Sequence, residues 1–182
     1  NLAKPDASVF SGLTHLETLV LAGNPLRRLD NELCGLPNLK HIELSGARLA
    51  IVSPNAFSCN PRLEAVFLSG NQLKELPANL FDKNESLKIV DLSGNRFSEI
   101  PSALISKKGT LVSVNLSGNK IPDAAQFKPA GAAPSLDASV ARLDRESPAA
   151  QAVGRLQSFV RSHWHLPLTG STSYSTAAKF DL

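Results

Sequence analysis

Few residues in this chain combine a type and a spacing that do chemistry. Glu43 and Asp91 occupy one phase of a 24-residue period, two periods apart. Paired carboxylates can serve as general acid and base, but coils stacked at strand spacing set these two about 10 Å apart, which is wide for that work. His163-Trp164-His165 offers imidazoles on alternate residues. Two alternating histidines are a weak metal signal, and a helix end with an amphipathic tryptophan explains them better. No Gly-x-Ser-x-Gly turn and no phosphate-binding glycine loop occur. Cys34 and Cys59 could join as a disulfide or stand as two small apolar residues in a wall. Two triplets, starting at Asn84 and Asn115, have the form that accepts a glycan in a secreted protein. These residues predict no catalytic site, no resident metal and no cofactor.

The elements that would position them repeat. Leu-Ser-Gly-Asn occurs at 68–71, 92–95 and 116–119, inside a longer pattern L-x-x-L-x-L-x-x-N-x-L. The five copies are Leu16, Leu19, Leu21, Asn24, Leu26; Leu39, Ile42, Leu44, Ala47, Leu49; Leu63, Val66, Leu68, Asn71, Leu73; Leu87, Val90, Leu92, Asn95, Phe97; and Leu111, Val114, Leu116, Asn119, Ile121. Their first residues are separated by 23, 24, 24 and 24 positions. A fixed period of this size marks a solenoid. L-x-L is the alternation of a short strand with one buried face, and only stacked neighbours can cover that face. The Asn stands where the chain turns, and its amide can serve backbone groups without a ladder partner. Before each turn position stands a glycine: Gly23, Gly46, Gly70, Gly94, Gly118.

The return half of each repeat is in register too. Leu29, Val52, Leu76 and Ile100 make one apolar column; Phe10, Leu33, Phe57, Phe81 and Ile105 make another. Pro54, Pro77 and Pro101 follow the first column and disfavour long helices there, so short 3₁₀ turns and irregular chain are expected. Ala47 replaces the turn Asn, which should cost the second turn a set of bonds, roughly 1–3 kcal/mol for a buried group left unpaired. Asn60, Asn84 and Lys108 replace the leucine supplied by Leu13 and Leu36, which predicts a more polar convex side in the later repeats.

Over about residues 2–122 these motifs resemble the leucine-rich repeat family in its typical 24-residue form. The resemblance implies an α/β-type solenoid with short parallel concave strands and an irregular or 3₁₀ convex side. It also implies protein or peptide recognition on the concave face. The phenylalanine column and Leu-Pro returns look most like extracellular receptor and adhesion proteins.

Residues between the leucines should point onto the concave sheet, where stacking turns each position into a column. The first is Glu17, Lys40, Glu64, Lys88, Val112, with alternating signs that support the stack. The second is Thr18, His41, Ala65, Ile89, Ser113, and the third Val20, Glu43, Phe67, Asp91, Asn115. Phe67 and Ile89 are apolar on a face expected to meet water, ringed by His41, Glu43 and Asp91, as a contact patch would be. With Ser113 and Asn115 they make the predicted protein-binding set. A glycan on Asn115 would obstruct it. The fourth column, Ala22, Ser45, Ser69, Ser93, Ser117, is small. Arg27, Arg28, Arg48, Arg96 and Lys120 form a mildly positive rim, read as solvated surface.

Three regions are expected: a solenoid over 1–122, a linker rich in Ala, Pro and Gly over 123–134, and a tail over 135–182. Leu2 aligns with Leu26, so the sequence reads as starting inside a repeat, as a fragment or processed product would. In the tail, Ser147-Pro148 opens a predicted helix to about 164 whose stripe is Val153, Leu156, Phe159, Val160 and Trp164. That stripe could cover a solenoid end or dock on another protein. The last residues are Ser/Thr-rich and read as extended or disordered. Net charge is only +3 with basic residues scattered, which does not suggest nucleic acid, and no apolar run is long enough to span a membrane. The expected function is a non-catalytic, receptor- or adhesion-like binding module at the cell surface or outside the cell. The alternative is an accessory subunit of a large assembly, organellar or membrane-associated, docked through its tail and solenoid ends.

Overall fold

The computed structural model describes residues 7–107, 109–122 and 177–179. Each repeat contributes one short strand at the L-x-L position: β1 (Thr18–Val20), β3 (His41–Glu43), β5 (Ala65–Phe67), β6 (Ile89–Asp91) and β7 (Ser113–Asn115). All pair in parallel, and the register aligns Leu19, Ile42, Val66, Val90 and Val114 in one row. β8 (Ala177–Lys179) lies parallel to β1, completing the order β7-β6-β5-β3-β1-β8. On the return side β2 (Arg28–Leu29) pairs with β4 (Ile51–Val52), a small second sheet that the periodicity did not foretell. The predicted linker and the tail helix with Val153, Leu156, Phe159, Val160 and Trp164 lie outside the described residues.

The strands are short because the ladder continues past them as single bonds. The amide of Leu21 donates to the carbonyl of Glu43, Leu44 to Phe67, Leu68 to Asp91 and Leu92 to Asn115, each at 2.8 Å. One step later the glycine column repeats the pattern, Gly23 donating to Ser45 and Gly94 to Ser117 at 2.8 Å. These glycines turn the chain with φ between 63° and 77°, a region costly for other residues. They also lie close: a Cβ would stand 3.9 Å from the coil before at Gly46, 3.8 Å at Gly70, 3.4 Å at Gly94 and 3.3 Å at Gly118.

Behind the sheet runs a continuous core. Leu19, Leu21, Leu39, Ile42, Leu44, Leu63, Leu68, Leu87, Leu92 and their neighbours are closed to solvent, each contributing about 1.5–3 kcal/mol of burial. The turn asparagines bind as expected. Asn95 donates from Nδ2 to the carbonyls of Leu68 and Leu92 and accepts the amide of Leu73 on Oδ1; Asn71 and Asn119 repeat this one coil either side. Ala47 does not leave the predicted gap. The Leu26 amide that a side chain there would serve donates to the Ala47 carbonyl at 3.0 Å. Shortening the first step to 23 residues brings backbone to the place a side chain holds elsewhere.

The convex side carries 3₁₀ turns at Ala7–Phe10 and Glu32–Gly35 and one five-residue α-helix, α1 (Ser102–Ser106), entered from Pro101. Phe10, Leu33, Phe57 and Phe81 form the expected buried column, and the Phe57 and Phe81 rings stack with centroids 5.8 Å apart. Ile105 leaves it: the helical turn rotates Ile105 outward, 55% exposed, and buries Ala103 and Leu104 instead.

A second correction concerns Asn60 and Asn84, predicted to make the convex side more polar. Both are fully buried. Asn60 donates to the carbonyls of Leu33 and Leu36, and Asn84 to those of Phe57 and Asn60, so they form a second asparagine ladder opposite the first. These carbonyls have no sheet partner and accept only turn amides at 3.0–3.2 Å, so an amide inside the wall gives each a second donor. Asn84 therefore does not present the glycan acceptor read from its triplet: the nitrogen that would carry a sugar is donating inside the protein. Beside this ladder Cys34 and Cys59 form a disulfide, Cα atoms 4.8 Å apart, tying the 3₁₀ turn at Glu32–Gly35 to the convex turn of the next coil.

Candidate concave interface

The four predicted columns all exist, and register places their members side by side, about 5 Å per step. In the first, Lys40 Nζ meets Glu17 Oε1 at 2.7 Å and Lys88 Nζ meets Glu64 Oε2 at 3.3 Å. The hydrogen bond from Lys40 is the main reason the Glu17 carboxyl sits below its ordinary range. This column neutralises itself.

In the second column Thr18 Oγ1 lies 3.3 Å from His41 Nδ1. Burial keeps the His41 imidazole below its ordinary pKa, with the Glu64 carboxylate pulling the other way. Ala65 is closed to solvent, while Ile89 and Ser113 are half-buried.

The third column holds the ring and two acids. Phe67 is only 9% exposed, against the expectation of an open aromatic. A ring on the middle strand is flanked by neighbouring strands on both sides, so most of it is covered and a small part remains open. Val20 is buried for its own part at 8% exposure. Glu43 and Asp91, the register partners of Phe67, are half-buried. Each turns one oxygen inward to its own strand's exit: Glu43 Oε1 accepts the Ser45 amide at 2.8 Å, and Asp91 Oδ1 accepts both the Ser93 amide at 2.9 Å and its hydroxyl at 2.7 Å. Asn115 does the same with the Ser117 amide at 3.1 Å. Burial pushes the Glu43 carboxyl above its ordinary range; the Ser45 bonds oppose this and the like charge of Asp91 adds to it. This strand-exit cap was not foreseen, although an acid or amide two residues before a serine in three repeats is a readable signal. In the fourth column the Ser45 and Ser69 hydroxyls meet at 2.7 Å.

The predicted set His41, Glu43, Phe67, Ile89, Asp91, Ser113 and Asn115 therefore falls on one face, within the middle and later strands. The rim differs from its reading as plain solvated surface in one respect. Arg27 and Arg48 hold left-handed backbone, φ 61° and 56°, where glycine is the easier residue. Arg28 pairs with Asp30 at 2.6 Å. Among the described residues no cluster of His, Cys, Asp and Glu could hold a metal, and no helix is long and apolar enough to cross a membrane.

The family model for the leucine-rich repeat matches residues 1–49, 35–73 and 61–121. Among solved structures, the crystal structure of the APL1 leucine-rich repeat domain superposes with a TM-score of 0.56 at 18% identity, covering 64% of this chain. This chain spans 32% of that one, and the likeness speaks to the fold. A search of curated proteins finds no match.

Proposed function

Because the chain belongs to the leucine-rich repeat family, we propose that it is a non-catalytic binding module that recognises a protein or peptide on its concave face, in a receptor- or adhesion-like role. The observation that carries this reading is the contrast between two concave columns. The first column pairs its charges internally, as a structural surface would. The third sets two acids around an aromatic ring, with neither acid in an ion pair among the described residues. Interfaces centre on large apolar and aromatic side chains, and two carboxylates left unpaired beside one are groups a partner can complement. Small serines alongside leave the approach open.

A secreted or cell-surface setting belongs to the same proposal. It is supported by the Cys34–Cys59 disulfide, since such bonds persist in oxidising compartments. A thiol assay finding both cysteines reduced in native material would count against it.

The recognition reading is tested by isolating a partner on the full chain from its native source and measuring its affinity for variants. Ile89→Ala and Phe67→Leu, checked for unchanged melting, should each weaken binding about tenfold, as central interface residues do. Unchanged affinity in both would remove the concave site from consideration.

A further inference from the structure

We infer that the concave site receives a cationic side chain of its partner, laid across Phe67 between Glu43 and Asp91. The inference rests on the protein-binding reading above and gives that partner a chemistry. Its first support is the distribution of charge. The five repeat strands carry two lysines, Lys40 and Lys88, and both are held by Glu17 and Glu64. On these five strands the third column carries two carboxylates and no cation, because Val20, Phe67 and Asn115 fill its other places. The column's lysine, Lys179 of β8, stands beyond Val20, three strands from Phe67. The five strands therefore have two negative charges in excess, one to either side of Phe67, in a protein whose net charge is +3.

The second support is how each acid is held. Glu43 is anchored through Oε1 and Asp91 through Oδ1. The remaining oxygens, Glu43 Oε2 and Asp91 Oδ2, make no hydrogen bond among the described residues, and neither is sealed from the surface. Both carboxylates are thus fixed in orientation with one acceptor still on offer. A guanidinium or ammonium is the complement of an oriented carboxylate, and its bonds are charge-assisted. The third support is shape. The register puts the two acids one strand to either side of Phe67, about 5 Å each way. A methylene stem resting on the open part of Phe67 and on Ile89 carries its charged end to either acid, the usual disposition of a long basic side chain on apolar surface. The raised Glu43 carboxyl fits this arrangement, because a nearby cation would relieve the burial and repulsion that raise it.

The test uses the full chain and three synthetic peptides, acetyl-Gly-Ala-Ala-X-Ala-Ala-Gly-amide with X as Arg, Lys or Glu, followed by NMR at low salt. The Arg and Lys peptides should move the amide resonances of Ser45, Phe67 and Ser93 saturably, with Kd on the order of 1 mM. The Glu peptide should not. The double variant Glu43→Gln, Asp91→Asn keeps an acceptor oxygen for each serine amide, so the fold should survive while Arg-peptide affinity falls about tenfold. Glu17→Gln should leave it within about twofold. Shifts no larger with the Arg peptide than with the Glu peptide, or an affinity unmoved by the double variant, would overturn the inference. The two readings separate on the native partner. If its affinity falls in Ile89→Ala and Phe67→Leu but not in the double variant, the cation inference fails and the concave reading stands. If none of these changes matters, the concave reading itself fails.

Discussion

The two flanks of each coil meet the same physical demand by different means. On the concave flank a strand's amides and carbonyls find the next strand, and only the strand exits call on side chains. On the convex flank there is no long sheet, so Asn60 and Asn84 go inside the wall to serve carbonyls, and a disulfide ties two turns. Where backbone serves backbone, the side chains above it are left to vary. Where side chains serve backbone, they are committed to the scaffold. That difference explains why the variable letters of the repeat, the candidates for function, gather on the sheet.

The sharpest way to break the contrast is to remove a donor from each flank. Asn95→Ala strands the buried Leu73 amide and takes one of two donors from each of the Leu68 and Leu92 carbonyls, which Asn71 and Asn119 still serve, and should cost about 4 kcal/mol in urea unfolding, about 2 for the orphaned amide and about 1 for each lost bond. Replacing Cys34 and Cys59 by serine frees a 25-residue separation and should cost about 3 kcal/mol, read as a lower denaturation midpoint than the oxidised protein. Asn84→Ala takes one of two donors from each of two convex carbonyls, those of Phe57 and Asn60, which keep the turn amides of Asn60 and Leu63, and should cost about 2 kcal/mol, about 1 for each lost bond. If Asn84→Ala were neutral, the convex ladder would be incidental and the contrast between flanks would fail.

The smallest effect has the opposite sign. Glu43 has a carboxyl pKa raised above the ordinary 4.5. The folded state therefore holds a proton more readily than the unfolded chain, and ionised Glu43 weighs against folding at neutral pH. Glu43→Gln keeps the Ser45 bond and should raise the melting temperature slightly at pH 7. The gain should shrink as the pH falls through the raised pKa of Glu43, where the folded wild-type protein takes up the proton. A gain that grew on acidification would contradict the burial of this group.

Much of this was legible beforehand because the repeat period forces register. Once Leu19 and Ile42 are aligned, every column follows, and the five strands fall where L-x-L stands. What stayed hidden depended on polarity outranking place. Asn60 and Asn84 read as surface residues because asparagine is polar, yet they sit in a leucine column 24 residues apart, and that spacing was the better guide. Phe67 read as open because alternation assigns a face, and alternation says nothing of how neighbouring strands crowd a large ring. Ala47 read as a loss because a missing side chain is visible in a sequence and a shifted carbonyl is not. Ile105 kept its period but not its place, because one helical turn rephases the chain locally.

The glycine column carries one more consequence. The clearance above each glycine shrinks along the stack, from 3.9 Å at Gly46 to 3.3 Å at Gly118. The ladder bonds from Gly23, Gly46, Gly70 and Gly94 to the next coil stay at 2.8–2.9 Å. A side chain set at Gly94 or Gly118 would therefore act as a wedge between coils that the ladder holds at a constant distance, while the same change at Gly46 would meet the φ penalty alone.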